Sequence, residues 1–296
     1  YNIILNSYEL IFIINISMTS NSKLIFFDVD GTLLNDKKTI NESTIKAIEE
    51  LKHHDYIFCL ATGRCLSQNI IDIANLAGLN GFLVLANGNY IWDLKNEILT
   101  TLGLPLDRKI IHRFYELAKE TKRQLNICFL DGTSKNYYFG NDINEITDHR
   151  FFIFGPTTTF SPIEELEEDL EKQILHIAIK AESNIIKKIN DKFDDIRLSQ
   201  TAQISNVADI YIEADSYGIS KWNGCIYVQK KLSVSNENTY AFGDSENDLI
   251  ILKNVGNPVL MGNASDSMKN EINNIIDDNN SDGIAKYLLS LIKNKE

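Results

Sequence analysis

Asp28 and Asp30 stand two positions apart in the stretch DVDGT, directly after the apolar run Lys23–Phe27. Gly31 permits the tight turn that would let both carboxylates face one small volume. Three further polar clusters fall in comparable places. Thr62-Gly63-Arg64 follows the apolar run Tyr56–Leu60, Lys221 opens a helical stretch, and Gly243-Asp244-Ser245-Glu246-Asn247-Asp248 follows the run Thr239–Phe242. Gathered together, Asp28, Asp30, Asp244 and Asp248 repel one another unless a cation sits among them, and hard oxygen donors select Mg²⁺. A lysine ammonium, a threonine hydroxyl and exposed backbone N–H groups beside that cation suit a phosphoryl group. The combination points to phosphoryl transfer with a carboxylate as nucleophile. Taken singly, a DxD pair is usually a solvated turn and a lysine at a helix start is usually a surface residue. The signal lies in their order, each at the edge of an element.

The elements that must position these clusters alternate. Lys23–Phe27 reads as a buried strand, followed by a helix in which Thr39 and Glu42 have capping-box spacing and Ile45, Ile48 and Leu51 form one apolar stripe. Tyr56–Leu60 is a second strand, Ser67–Ala77 a helix closed by Gly78, and Gly81–Ala86 a third strand ending at Asn87-Gly88. This is the text of a parallel α/β sheet, in which the binding crevice lies beyond the carboxyl ends of the strands. From residue 88 the rhythm changes to mixed α+β. A hairpin is predicted over Tyr90–Leu102, helices over Asp107–Lys122, Pro162–Leu170 and Ser183–Lys192, and strands at Gln124–Leu130, Asn136–Phe139, Ile174–Lys180, Arg197–Gln200 and Asp209–Glu213. The acidic run EELEEDLEK reads as a solvated helix face. The α/β rhythm resumes with a helix near Lys221–Lys231, strands at Thr239–Phe242 and Pro258–Met261, and a closing amphipathic helix over Ile284–Ile292.

The 296 residues carry 29 Lys plus Arg against 41 Asp plus Glu, a formal net charge of −12. That excludes a general nucleic-acid binder, which needs a basic face to release counterions. The length is about twice that of a typical domain, which fits a core carrying an insertion. Residues 1–17 read as a leader foreign to the fold: Asn2, Asn6, Glu9 and Asn15 interrupt an apolar run too short to span a membrane. No membrane partner is expected, and a cytoplasmic location is. The four cysteines, with no CxxC pair, read as buried reduced thiols, and the five histidines, lacking metal or triad spacing, as structural residues. The loop Asp278–Gly283 imitates half of an EF-hand, but Leu289 stands where a bidentate glutamate is required.

DVDGTLL, ATGR, GISKWNG and GDSENDL, in that order, resemble the four motifs of the haloacid dehalogenase-like (HAD) hydrolase superfamily. The insertion between the second and third motifs resembles subclass IIB, the Cof-type phosphatases, and the similarity covers residues 23–296. It implies a Rossmann-like parallel-sheet core from residues 18–87 and 214–296, with an inserted α+β cap domain at 88–213. It implies that Asp28 attacks phosphorus to form an aspartyl-phosphate, while Asp30 protonates the leaving oxygen and then activates water. Mg²⁺ would be held by the Asp28 carboxylate, the Asp30 backbone carbonyl and Asp244, with Asp248 orienting metal-bound water. Thr62, the Gly63 amide, Lys221 and Asn247 would hold the phosphoryl oxygens.

The implied activity is a Mg²⁺-dependent phosphatase acting on small phosphorylated metabolites, sugar phosphates first. A phosphomutase or other phosphotransferase is the alternative on the same scaffold, followed by a non-catalytic phosphometabolite-binding regulator. Trp222 follows Lys221 where the family often has glycine, and reads as helix packing. Asn89 stands where a small residue is common. Tyr137, Tyr138, Phe151 and Phe152 are candidates to touch the leaving group, although core roles are expected for them. Oligomeric state and the individual substrate are not written in the sequence.

Overall fold

Both faces of the first strand are buried, which is why its sequence reads as a continuous apolar run instead of an alternating one. In the computed structural model, Leu24 and Phe26 pack with Cys225, Val228 and Leu232, while Ile25 and Phe27 pack with Ile48, Leu51 and Leu288 on the other side. Residues 22–122, 124–138, 159–182, 198–200 and 209–293 are described. The expected leader at 1–17, the helix expected over Ser183–Lys192, and Phe151 and Phe152 lie outside them.

Two sheets organise the chain. The first contains β1 (Lys23–Phe27), β2 (Tyr56–Ala61), β3 (Phe82–Leu85), β4 (Tyr90–Asp93) and β5 (Ile98–Thr101). The second contains β6 (Leu125–Phe129), β7 (Ser134–Tyr138), β8 (Thr159–Pro162), β9 (Ile174–Glu182), β10 (Leu198–Gln200) and β11 (Asp209–Asp215), before the chain returns to the first with β12 (Thr239–Gly243) and β13 (Asn257–Leu260). The first sheet has the order β13-β12-β1-β2-β3-β4-β5, and the second β10-β11-β9-β6-β7-β8. Strands β13, β12, β1, β2 and β3 run parallel. Their register is level: Phe27 pairs with Phe242 on one side and Leu60 on the other. Asp28, Thr62 and Asp244 therefore leave the sheet at one edge, where an open parallel sheet places its ligands.

The hairpin predicted over 90–102 is present and extends the first sheet, since Tyr90 pairs with both Leu85 and Thr101. Residues 90–101, expected with the inserted segment, thus run in the core sheet. The cause is the tight reversal at Ala86, Asn87 and Gly88, all at positive φ, which lays β4 antiparallel on β3. The second sheet is built on the helix Arg108–Thr121: Phe114, Leu117 and Ala118 pack with Leu125, Ile127, Ile177 and Ile179. All of its described strands fall between Thr101 and Lys221 in sequence.

Two local expectations shift. The helix expected from Thr39 begins at Glu42 behind Asn41, because the Thr39 hydroxyl donates to Asn35 Oδ1 at 3.1 Å instead of capping. The acidic helix contracts to Leu166–Asp169 after one 3₁₀ turn. Within it Asp169 is buried and accepts from Tyr137 and Lys135, so this acid is a structural anchor and not part of a solvated face.

Candidate active site

The site begins with Gly31. At φ +80°, it lets the chain turn just past β1, and a Cβ there would stand 2.3 Å from Asp244 Oδ2. The turn therefore brings backbone directly against the loop after β12. That loop folds on itself: Asp248 Oδ2 accepts from the backbone N–H of Asp244 at 3.1 Å and of Ser245 at 3.2 Å. The reciprocal Ser245–Asp248 capping box holds this geometry. Thr32 Oγ1 donates to Asp244 Oδ1 at 2.8 Å, and Asn263 Nδ2 donates to Asp244 Oδ2 at 3.2 Å.

Ser220 caps the helix Lys221–Leu232, with its side chain accepting from Asn223 N–H. Gly224 lets this helix sit close to β3, for a Cβ there would stand 2.3 Å from Val84 Cγ1. Lys221, at the first turn, consequently reaches the sheet edge. Its Nζ donates to Asp28 Oδ1 at 2.8 Å, Asp248 Oδ1 at 2.7 Å and Asn247 Oδ1 at 3.3 Å. Lys221 is 2% exposed and Asp28 7%.

Oxygens of Asp28, Asp244 and Asp248 lie within 4.8 Å of one another. Three carboxylates against one ammonium leave two negative charges in a buried volume, the balance of a divalent cation. Burial and the neighbouring Asp248 push Asp28 up to about 7 despite Lys221. Burial, Asp28 and Asp248 likewise push Asp244 well above the usual carboxylate range. Burial opposes charge on Lys221, but Asp248 and Asp28 override it and hold the ammonium protonated. The donor set is all oxygen and fits a hard cation.

Asp30 stands outside that triad. Arg64 grips its carboxylate at both oxygens, Nε to Oδ2 and Nη2 to Oδ1, each at 2.8 Å, and Lys38 Nζ adds a bond to Oδ1 at 2.9 Å. Burial would raise its pKa, but Arg64 and Lys38 prevail and bring it to about 2. Arg64 lies in the ATGR motif without a role readable from spacing; the bidentate geometry supplies one. The Thr62 hydroxyl accepts from Arg64 N–H at 3.2 Å, and Gly63 approaches Asn87, whose Oδ1 would lie 3.1 Å from an added Cβ.

A second polar group faces this loop from the other sheet. Asn87 Nδ2 donates to Glu213 Oε2 at 2.7 Å and Asp215 Oδ2 at 2.9 Å, and Asn89 Nδ2 donates to Asp215 Oδ1 at 2.9 Å. His176 Nδ1 lies 2.7 Å from Asp215 Oδ1. The sequence marks Asn87 only as the close of the third strand, and His176, Glu213 and Asp215 have no sequence signal, because the pairing within this group spans the two sheets. Burial raises the pKa of Glu213. Tyr137 is fully buried, as expected of a core residue, and Trp222 packs against the apolar layer beneath its helix.

The cysteines depart from expectation. Cys65 and Cys128 form a disulfide, while Cys59 and Cys225 are free and buried. The fold brings together two thiols 63 residues apart that spacing could not pair.

Residues 25–288 match the model of a family described as haloacid dehalogenase-like hydrolase. The chain is 30% identical over 267 residues to the 5-amino-6-(5-phospho-D-ribitylamino)uracil phosphatase YcsE of Bacillus subtilis, covering 90% of this chain and 94% of that protein. The fold resembles that of a haloacid dehalogenase-like hydrolase from B. subtilis, with a TM-score of 0.75 at 22% identity, covering 91% of this chain and 99% of that one. It also resembles the HAD subclass IIB sugar phosphatase BT4131, with a TM-score of 0.74 at 18% identity, covering 91% of this chain and 99% of that one.

Proposed function

The chain belongs to the haloacid dehalogenase-like hydrolases and is a Cof-type phosphatase; on that premise we propose that it hydrolyses phosphate monoesters of small hydroxyl-rich metabolites through an aspartyl-phosphate on Asp28, with Mg²⁺ as its metal. The observation that carries this reading is the Asp28–Asp244–Asp248 triad under the Lys221 ammonium. The Asp28 carboxylate, the Asp30 backbone carbonyl and Asp244 would hold the ion, with Asp248 beside them. Bound there, it neutralises charge on the phosphoryl oxygens.

The chain's own residues do the rest. A carboxylate oxygen of Asp28 attacks phosphorus in line with the ester oxygen, whose bond to phosphorus breaks as Asp30 delivers a proton. Lys221, the Thr62 hydroxyl and the Gly63 amide hold the equatorial oxygens, and Asn247 supports them. Water then attacks phosphorus, Asp30 takes its proton, and phosphate leaves with the Asp28 carboxylate restored. At rest Arg64 and Lys38 hold Asp30 ionised. An incoming phosphate dianion competes for those two cations, which raises the proton affinity of Asp30 when an acid is needed.

Glu213, Asp215 and Asn87 border the Gly63 loop, and their carboxylate and amide groups suit a leaving group with several hydroxyls. The substrate in the name of the B. subtilis relative carries a phosphorylated ribityl chain, which supports a polyol or sugar moiety. Among the described residues no helix is long and apolar enough to cross a membrane, and such metabolites fit a cytoplasmic setting.

The test is a screen of purified protein with Mg²⁺ against sugar, polyol, nucleotide and cofactor phosphates. Free phosphate from sugar or polyol esters, absent in Asp28→Asn, supports the reading. An isomeric sugar phosphate in place of free phosphate would make the protein a phosphotransferase.

A further inference from the structure

Cys65 and Cys128 belong to different sheets. Cys65 follows Arg64, the residue that grips Asp30, in the loop after β2, whereas Cys128 lies on β6. Their Cα atoms are 6.6 Å apart, within the span that a disulfide bridges without backbone movement. The side chains are 2% and 0% exposed, and they are covered where the two sheets meet.

Their surroundings differ from those of the other two cysteines. Burial pushes Cys59 up to about 12 and Cys225 well above the ordinary thiol range, so both are inert neutral thiols. Beside Cys65 and Cys128 stands His176, which pairs with Cys128 across β6 and β9. One of its ring nitrogens lies within 4.8 Å of both sulfurs. Nδ1 is held by Asp215, and the fully buried Nε2 has no hydrogen-bond partner among the described residues. The ring, anchored to Asp215 through Nδ1, is thus placed to steady a thiolate on either cysteine.

We propose that Cys65 and Cys128 are a reversible thiol–disulfide site, oxidised by a peroxide and reduced by a dithiol, that fastens the second sheet over the catalytic edge of the first. When the sheets part, one thiolate attacks the peroxide; the O–O bond breaks and leaves a sulfenic acid and, after protonation, water. When they close, the second thiol attacks that sulfur, the S–O bond breaks, and a second water departs. Two electrons pass from the thiols to the peroxide. A dithiol reverses the bond by exchange, leaving itself as a disulfide and returning two protons to the pair.

The consequence rests on the function proposed above. Asp28 and Lys221 are buried, and Glu213 and Asp215 of the second sheet are bonded to Asn87 at the same edge, so on that reading a substrate enters as the second sheet lifts away. The bond spans the line along which it would lift, so the oxidised protein turns over poorly and the reduced protein freely.

The experiment compares full-length protein treated with tris(2-carboxyethyl)phosphine or with hydrogen peroxide. Thiol titration after denaturation should find four thiols in the reduced sample and two in the oxidised one, with a peptide linking Cys65 to Cys128. Oxidation should lower kcat/KM and slow limited proteolysis of the second sheet, both restored by the phosphine. Cys65→Ser and Cys128→Ala should each abolish the response, and His176→Gln should slow oxidation without preventing it. Four thiols resistant to peroxide, a bond the phosphine cannot reduce in the native protein, or a response that survives in Cys65→Ser would each overturn the proposal. Proteolysis and thiol counts read the latch even if no substrate is turned over, which separates its failure from failure of the phosphatase reading.

Discussion

Lys221 donates to Asp28 Oδ1 across 2.8 Å, although 193 residues separate them. The contact joins a helix start to a strand end, and the same ammonium also reaches Asp248 at 2.7 Å. One ammonium thereby bridges two buried carboxylates that come from different loops.

Lys221→Met should expose that dependence. Breaking a buried pair by removing one partner costs about 3–5 kcal/mol, because the remaining charge is uncompensated. Urea denaturation in EDTA should show a loss of that order, partly recovered by Mg²⁺. Activity should fall by about 10²–10³-fold and should not recover with Mg²⁺ if, as proposed, the ammonium also holds the phosphoryl oxygens.

Asp28→Asn should separate chemistry from stability. Turnover should fall by about 10⁴-fold or more, as expected for loss of a nucleophile. Without metal the variant should melt higher than the parent. Burial and Asp248 hold Asp28 near 7, so at neutral pH ionising it costs folding free energy that the amide does not. Phosphate release and calorimetry in EDTA check the two halves.

Arg64→Lys should act on proton transfer. A lysine cannot grip both Asp30 oxygens as Arg64 does through Nε and Nη2. If Arg64 positions the acid, kcat/KM should fall by about 10–10²-fold for an alkyl phosphate and much less for p-nitrophenyl phosphate, whose leaving group needs no proton. Equal losses on both substrates would reduce Arg64 to a general phosphate contact.

Which parts of this site could be read from the chain follows from how each residue is placed. Asp28, Asp244, Asp248 and Lys221 sit where elements end, and parallel strands in level register carry such ends to one edge. Order in the sequence was then enough. Asn87 and Glu213 are 126 residues apart and meet only because a tight reversal after β3 faces the last strand of the second sheet. Spacing carries no trace of contacts made by packing one layer on another, and Cys65, Cys128 and His176 were missed for the same reason. The Thr39–Glu42 capping pattern misled because Asn35 competes for the Thr39 hydroxyl.

His176 should show a pH dependence of stability. Burial lowers its proton affinity, but Asp215 and Glu213 outweigh that and raise it above the usual 6.5; Cys65 and Cys128 also face the ring. A raised folded-state value stabilises the protein fully below the unfolded value, and this contribution is lost as pH rises through the folded one. Glu213, raised by burial, has the same sign. Unfolding free energy should therefore fall as pH rises, beginning above 4.5 for Glu213 and above 6.5 for His176. The His176 ring resonance in NMR should titrate above its free value and move down in Asp215→Asn.

Gly31 and Gly218 offer a controlled pair. Both have positive φ, +80° and +77°, so alanine at either is strained by about 1–2 kcal/mol. They differ in what the new methyl would meet. At Gly218 nothing among the described residues lies within 4 Å, while at Gly31 the methyl would stand 2.3 Å from Asp244 Oδ2. Relief there requires Asp244 to leave Thr32 and Asn263 and move relative to Asp28. Gly218→Ala should therefore lose stability alone, with Mg²⁺ still raising its melting temperature as in the parent. Gly31→Ala should lose comparable stability and, in addition, most of the Mg²⁺-dependent shift and most of its activity. Thermal melts across a Mg²⁺ series, run beside phosphate release, distinguish the two. An undiminished Mg²⁺ shift in Gly31→Ala would mean that Asp244 does not hold the metal.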